Sequence, residues 1–443
     1  MNQMKIFPPV LEDVNHAWSS FGFYSALLQD ETIQLAKELC QAFHSGQADK
    51  GKVSSDYWSL FERLVRYGEL SCAPVIGDGW QNYFLDRMIE IETAVSLKAQ
   101  FSDVPMGSSI RTGVAIELAN LQVLYDLPAA WWQGQAQRIT GRTFPAWNDI
   151  QPMTEETSNP LAKAQLGLKR LMAACTDWRD EADSLIGFHR QFGSGLFARY
   201  LAFRWEGCLR GVEQPDPIRL EDLVGYGRQR NEVVDNTKRL LSGLRANNVL
   251  LYGDRGTGKS STVKALIHRF GLEGLRLIEV PKSRLADFPA MIDLLKDRPQ
   301  KFILFIDDLS FEDGEESYKE MKALLEGGVA VRPDNVVIYA TSNRRHLIKE
   351  TFADRQVTLN EADELHPGDT YQEKMSLADR FGITVTFLAP GQEAYLEIVE
   401  TLAEQRGIEM ERETLRRQAL QWEQRHNGRS GRTARQFVDS LIR

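Results

Sequence analysis

The chain has 443 residues, 42% hydrophobic and 26% charged, an apolar supply that excludes global disorder and at this length predicts two or three domains. Its net charge is -9, and residues 1–214 carry 19 basic and 25 acidic side chains against 34 and 37 in the remainder, so neither part is a polycation held to nucleic acid chiefly through phosphates. Cys40, Cys72, Cys175 and Cys208 form no CxxC pair, the start MNQMKIFPPVLED lacks a basic n-region and a long apolar stretch, and no apolar run approaches the roughly 20 residues that cross a bilayer. A cytoplasmic protein without a membrane span is expected.

Residues 1–214 read as a mostly α-helical N-terminal domain. Segments 31–43, 80–98 and 181–201 place apolar residues three and four apart. Polar and glycine-rich punctuation falls at Gly46–Ser55, Ala73–Gly79, Ser102–Ser109 and Gln151–Pro160, and the last, near 151–160, is a candidate break between two subdomains. Eight of the nine tryptophans precede residue 215, and helical spacing assigns them to the core before any interface.

Two prolines in Gln214-Pro-Asp-Pro217 disfavour helix and mark the expected domain boundary. Beyond it, five β-rich runs alternate with helical segments: Asn248–Tyr252, Leu275–Val280, Phe302–Ile306, Val336–Ala340 and Ile383–Leu388. That alternation predicts an α/β domain with a mainly parallel five-stranded sheet over residues 218–390.

Directly after the first of these strands, Gly253-Asp-Arg-Gly-Thr-Gly-Lys-Ser260 matches GxxxxGK[ST] and leads into a helical run opened by Ser261. A glycine-rich loop between strand and helix turns backbone N–H groups towards phosphate, and the helix dipole adds to them. Gly253, Asp254, Arg255, Gly256, Thr257, Gly258, Lys259, Ser260 and Ser261 are therefore the candidate nucleotide-binding residues. Lys259 would reach the β- and γ-phosphates and Ser260 would ligate Mg²⁺.

Phe302–Ile306 ends in Asp307-Asp308, a Walker B pattern. Alone, such a strand could simply enter a solvated turn; with the P-loop upstream, Asp307 is the candidate Mg²⁺ carboxylate and Asp308 the group that polarises water. The following strand ends in Thr-Ser-Asn343, placing a neutral hydrogen-bonding side chain at the same edge.

In this order the motifs resemble the AAA+ superfamily over residues 218–443. The stretches NTKRLLSGLRANNVLLYGDRGTGKSSTVKAL, FIDDLSFEDGEESYKEMKALLEGG and EKMSLADRFGITVTF resemble a bacterial family of predicted AAA+ ATPases with no assigned function. The resemblance implies an α/β P-loop NTPase core with a C-terminal helical lid at 391–443, and ATP with Mg²⁺ as ligands. It implies Asn343 as sensor 1, Arg380 in Leu377-Ala-Asp-Arg-Phe-Gly382 as an arginine finger, and Arg432 in Arg429-Ser-Gly-Arg-Thr-Ala434 as sensor 2, with Arg435 as the alternative on the same helix. Leu223-Val-Gly-Tyr226, with Gly225 and Tyr226, resembles the segment that covers adenine. A finger supplied in trans implies a homo-oligomer.

Two departures refine the expectation. Many AAA+ enzymes have glutamate where this chain has Asp308, whose carboxylate sits one methylene further from the water, and slow hydrolysis is expected; Glu312 reads as a loop residue first. Pro281-Lys-Ser-Arg-Leu-Ala-Asp287 stands where ring unfoldases carry an aromatic pore loop. The reading is therefore an ATPase acting as a switch, remodeller or assembly factor on an unidentified protein client through the N-terminal helices. The alternatives are a nucleic-acid loader or initiator, with Arg344, Arg345 and the lid arginines as contacts, and a nucleotide-binding scaffold that hardly hydrolyses. The polar insertion between Glu350 and Ser376 suits a lid or partner element, and its His366 reads as a surface residue.

Overall fold

The computed structural model describes residues 10–442 except 46–47, 102–103, 155, 158, 312–317, 319, 323–324, 326–332, 344–376, 378–379 and 427. Glu312, Arg344, Arg345, the 350–376 insertion and His366 lie outside the described residues. Two compact units divide between Tyr200 and Leu201. The expected boundary at 214–217 lies later, and the difference has a structural reason: Ala202–Trp205 (β1) and Leu209–Val212 (β2) form a hairpin that belongs to the sheet of the second unit.

The first unit is helical wherever it has regular structure among the described residues. The segment expected at 31–43 is the helix Glu31–His44, started by the Asp30 carboxylate accepting from Thr32 and Ile33 N–H. The segment expected at 80–98 is two helices, Gly79–Glu90 and Ala94–Phe101. Thr93 and Ser96 cause the break by exchanging backbone N–H for side-chain hydroxyl, which offers the chain an alternative to the helix ladder. The third segment likewise splits into Ala182–Phe192 and Leu196–Arg199 around Gly193 and Gly195, both at positive φ.

Six of the seven tryptophans in this unit (Trp18, Trp80, Trp131, Trp132, Trp147 and Trp178) are buried, with Trp58 the exception at 49% exposure. Burying an indole removes its N–H from water, and Trp80 and Trp178 recover that bond on the carbonyls of Leu124 (2.7 Å) and Met172 (2.8 Å). Charges in the core are also matched. Lys169 Nζ lies 2.9 Å from Asp86 and donates to Asn82 Oδ1 at 2.6 Å. Buried Glu117 accepts the backbone N–H groups of Gly22, Phe23 and Tyr24 at 2.7, 2.8 and 2.9 Å.

In the second unit, β3 (Val249–Gly253), β4 (Leu275–Glu279), β5 (Lys301–Ile306), β6 (Val336–Ser342) and β7 (Ile383–Phe387) are the five expected strands. Among the described residues the sheet nevertheless has seven, in the order β2-β1-β4-β5-β6-β3-β7, with only β1 and β2 antiparallel. All seven side chains of β6 are buried, and so are five of the six in β5, as expected of strands covered on both faces. Parallel pairing brings the C-terminal ends of β3, β6 and β5 to one edge, where open α/β sheets hold ligands. After β7, the helices Gln392–Gln405, Arg412–Arg425 and Gly431–Leu441 pack around a separate core that includes Tyr395, Val399, Leu415, Ala419 and Phe437.

Replacing Glu117 by Ala takes the shared acceptor from three backbone donors at once, the Tyr24 N–H among them buried. Glu117→Ala should lower stability by about 3 kcal/mol in urea unfolding followed by tryptophan fluorescence, and a loss below about 1 kcal/mol would show that water replaces the carboxylate.

Candidate functional site

The P-loop begins at the last residue of β3, Gly253, which pairs with Phe387 of β7. Gly253 has φ 137°, and a Cβ there would lie 1.9 Å from the Phe387 carbonyl oxygen, so only glycine fits. Asp254 closes the same junction: its N–H donates to Phe387 O (2.9 Å) and its carboxylate accepts Ala389 N–H (2.6 Å). Gly256 (φ 76°) and Gly258 (φ 92°) complete the curl, and Gly258 is the N-cap of the helix Lys259–Phe270.

Lys259 is buried at that helix start. Its Nζ donates to the carbonyls of Gly253 (2.8 Å) and Asp254 (2.7 Å) and to Asn343 Oδ1 (3.2 Å). Burial pulls the ammonium below its usual pKa, opposed by the carboxylates of Asp254, Asp308 and Asp307. Next along the helix, Ser260 Oγ donates to Asp307 Oδ1 at 2.6 Å.

The ends of β5 and β6 complete this cluster. Asp307 Oδ1 also accepts the Thr341 hydroxyl at 2.5 Å, and Thr341 Oγ1 accepts Asp308 N–H at 3.0 Å. Asp308 has a left-handed backbone (φ 52°), uncommon without glycine, and its carboxylate accepts Asn343 Nδ2–H at 2.8 Å. Lys259, Ser260, Asp307, Asp308 and Asn343 thus form one hydrogen-bonded group.

They line a cleft of about 570 Å³ whose wall also includes Gly225, Tyr226, Arg255, Gly256, Thr257, Gly258 and Ser261. Tyr226 is held at φ 54°, with its ring 5.2 Å from that of Phe387 and its hydroxyl donating to Leu388 O at 2.6 Å. Burial pushes that hydroxyl up to about 12, with Asp254 adding to the effect. From the C-terminal helices, Arg432 N–H donates to Gly256 O at 3.1 Å, and both Arg432 and Arg435 line the cleft. Arg230, Arg255, Lys259, Arg432 and Arg435 set five positive charges in the wall against Asp222, Asp307 and Asp308, a balance that favours a polyanion.

Of the residues singled out in the sequence, Gly253 and Asp254 act through the loop's attachment to β7 and do not line the cleft. Arg380 does not line it either; its N–H bonds to Leu377 O at 3.3 Å. Sequence reading passed over Thr341, although it stands two residues before Asn343. It also passed over Ile218, Ile398 and Leu402, whose apolar side chains wall the cleft beside Tyr226 and come from either side of the P-loop in sequence. No signal short of the fold links them.

The donors are hard oxygens, one carboxylate and one hydroxyl, of the kind a water-rich Mg²⁺ site uses. Among the described residues there is no group of three or more His, Cys, Asp or Glu able to hold a metal by themselves, and no helix long and apolar enough to cross a membrane.

No curated protein matches the chain. Among solved structures, it is similar to the RuvB Holliday junction branch migration motor of Thermotoga maritima, at 16% identity and a TM-score of 0.34 over 50% of this chain and 63% of that one. A point-substituted form of the same motor gives 15%, 0.34, 50% and 64%. The chain therefore spans less than two thirds of these relatives' length. Residues 198–443, more than half the sequence, match the family described as "Protein of unknown function (DUF815)", and the chain belongs to that family.

Proposed function

We propose that this protein binds and hydrolyses ATP with Mg²⁺ and works as a nucleotide-driven switch, remodeller or assembly factor on a protein client, gripped by its N-terminal helices. The observation that carries the reading is the direct bonding of P-loop, Walker B and strand-end residues in one cleft: Lys259 to Asn343, Ser260 to Asp307, and Asn343 to Asp308.

Each group has a definite task. The loop N–H groups and Lys259 hold the β- and γ-phosphates, with Lys259 already aimed by two carbonyls. Ser260 and Asp307 would hold Mg²⁺, which when bound neutralises charge on the phosphates. Asp308 orients the attacking water and takes up its proton, while Asn343 fixes the Asp308 carboxylate and touches Lys259. Gly225 and Tyr226 cover the adenine, with Ile218, Ile398 and Leu402 on the apolar wall. Arg432, backed by Arg435, reaches the phosphates from a C-terminal lid, and Arg380, outside the cleft lining, serves a neighbouring copy in a homo-oligomer.

A protein client is favoured over nucleic acid by the lid's internal charge pairing. Arg406 pairs with Asp439 (2.7 Å), Arg412 with Glu400 (2.9 Å), Arg429 with Glu423 (2.9 Å), and Arg416 also reaches Glu400. Those four guanidiniums already face carboxylates and are poorly placed to take up phosphates.

Steady-state ATP hydrolysis with Mg²⁺ across protein concentrations is the decisive measurement. Lys259→Ala should weaken nucleotide binding by at least about tenfold. Asp308→Asn should keep binding and lower kcat by about a hundredfold, and an unchanged kcat would remove Asp308 from the reaction.

Turnover per chain should rise with concentration and be lost in Arg380→Ala. Mixing Arg380→Ala with Lys259→Ala should restore part of it, because one chain still offers a finger and the other an intact pocket. No recovery on mixing would mean that the arginine does not act across copies. Nucleotide binding without turnover under every condition would favour the scaffold reading, and strong stimulation by DNA the loader reading.

A further inference from the structure

We propose that Thr341 is a positioning residue for the ATPase reaction, one hydroxyl that aims both carboxylates of the Asp307-Asp308 pair. The inference rests on the ATPase reading above and adds to it a residue outside the P-loop, the acidic pair and Asn343.

Thr341 lies on β6 with its side chain almost fully buried, at 2% exposure. A threonine hydroxyl has one proton to give and lone pairs to receive. Here the proton goes to Asp307 Oδ1 at 2.5 Å, and a lone pair receives Asp308 N–H at 3.0 Å. The Thr341 carbonyl takes Leu309 N–H at 2.7 Å, so consecutive backbone donors after Asp307 end on the same residue.

These bonds fix two things that the acidic residues do not fix for themselves. Asp307 Oδ1 is pinned between two hydroxyls, Ser260 from the P-loop helix and Thr341 from the neighbouring strand, which sets the carboxylate's rotation. Asp308 is held in the left-handed region, where a residue with a Cβ is uncommon, and from there its carboxylate meets Asn343. Backbone strain of this kind persists only when surrounding bonds over-determine it, and Thr341 supplies one from its side chain and one from its main chain. Valine has nearly the same shape and leaves both the carboxylate and the Asp308 N–H without this partner.

The test uses the full-length protein with Thr341→Val and Thr341→Ser, the serine variant keeping the hydroxyl. In Thr341→Val, kcat should fall by about 10- to 100-fold and the Mg²⁺ concentration giving half-maximal nucleotide binding should rise by about tenfold. Binding of a fluorescent ATP analogue without Mg²⁺ should stay within about twofold of the parent, and Thr341→Ser should stay close to the parent in every measurement.

Equal losses in the serine and valine variants would overturn the proposal, since packing and not the hydroxyl would then be responsible. So would a valine variant with unchanged kcat and unchanged Mg²⁺ dependence. Thr341→Ala replaces valine if the second methyl prevents folding, with the same two readouts. The Mg²⁺ dependence of binding is read without turnover. A parent protein that binds nucleotide but never hydrolyses it defeats the ATPase reading, while the binding measurement still decides whether Thr341 orients Asp307.

Discussion

Strand register governs the second unit. Because β6 runs between β3 and β5, with Leu251 opposite Thr341 and Ile306 opposite Ala340, the P-loop and the acidic pair leave the sheet side by side. Ser260 can then reach Asp307, Lys259 can reach Asn343, and Thr341 can reach both Asp307 and the turn at Asp308. A slip of one residue in β6 would turn Thr341 to the opposite face and remove the side chain that joins the two acidic residues. The apolar runs in β5 and β6 do more than fill a core: they hold a register on which a cluster of polar contacts depends.

Much of this was legible in the sequence because local chemistry and local order coincide there. The loop from Gly253 to Ser260 follows a strand and opens a helix, and Gly253 is irreplaceable for a reason visible only in the fold, the nearby Phe387 carbonyl. Asp307, Asp308 and Asn343 announce themselves by ending apolar runs. Thr341 carries no such mark, since a threonine in a buried strand is ordinary and its importance comes from the neighbouring strand. The hairpin at 202–212 was hidden for a related reason: its strands have four residues each, too short to show a period, and the prolines at 215 and 217 drew the boundary after them. In the helical unit, the breaks at Thr93 and at Gly193–Gly195 fall inside apolar patterns that continue across them, so periodicity joined segments that capping and positive φ separate.

The two units arrange charge differently. In the first, matched partners such as Glu117 with three backbone donors and Lys169 with Asp86 satisfy charges where they are buried. In the second, the cleft keeps five cations facing three carboxylates.

The attachment of the C-terminal helices has a mechanical consequence. The chain leaves β7 through Leu388 and Ala389, where Tyr226 holds the Leu388 carbonyl and the P-loop carboxylate of Asp254 holds the Ala389 N–H. The fulcrum of the C-terminal helices thus lies beside the cleft, with Tyr226 part of both, and the first helix beyond it, Gln392–Gln405, is about 21 Å long at 1.5 Å per residue. On a lever of that length, a rotation of about 5° at the fulcrum displaces the far end by about 2 Å, a shift comparable with those that repack helix interfaces.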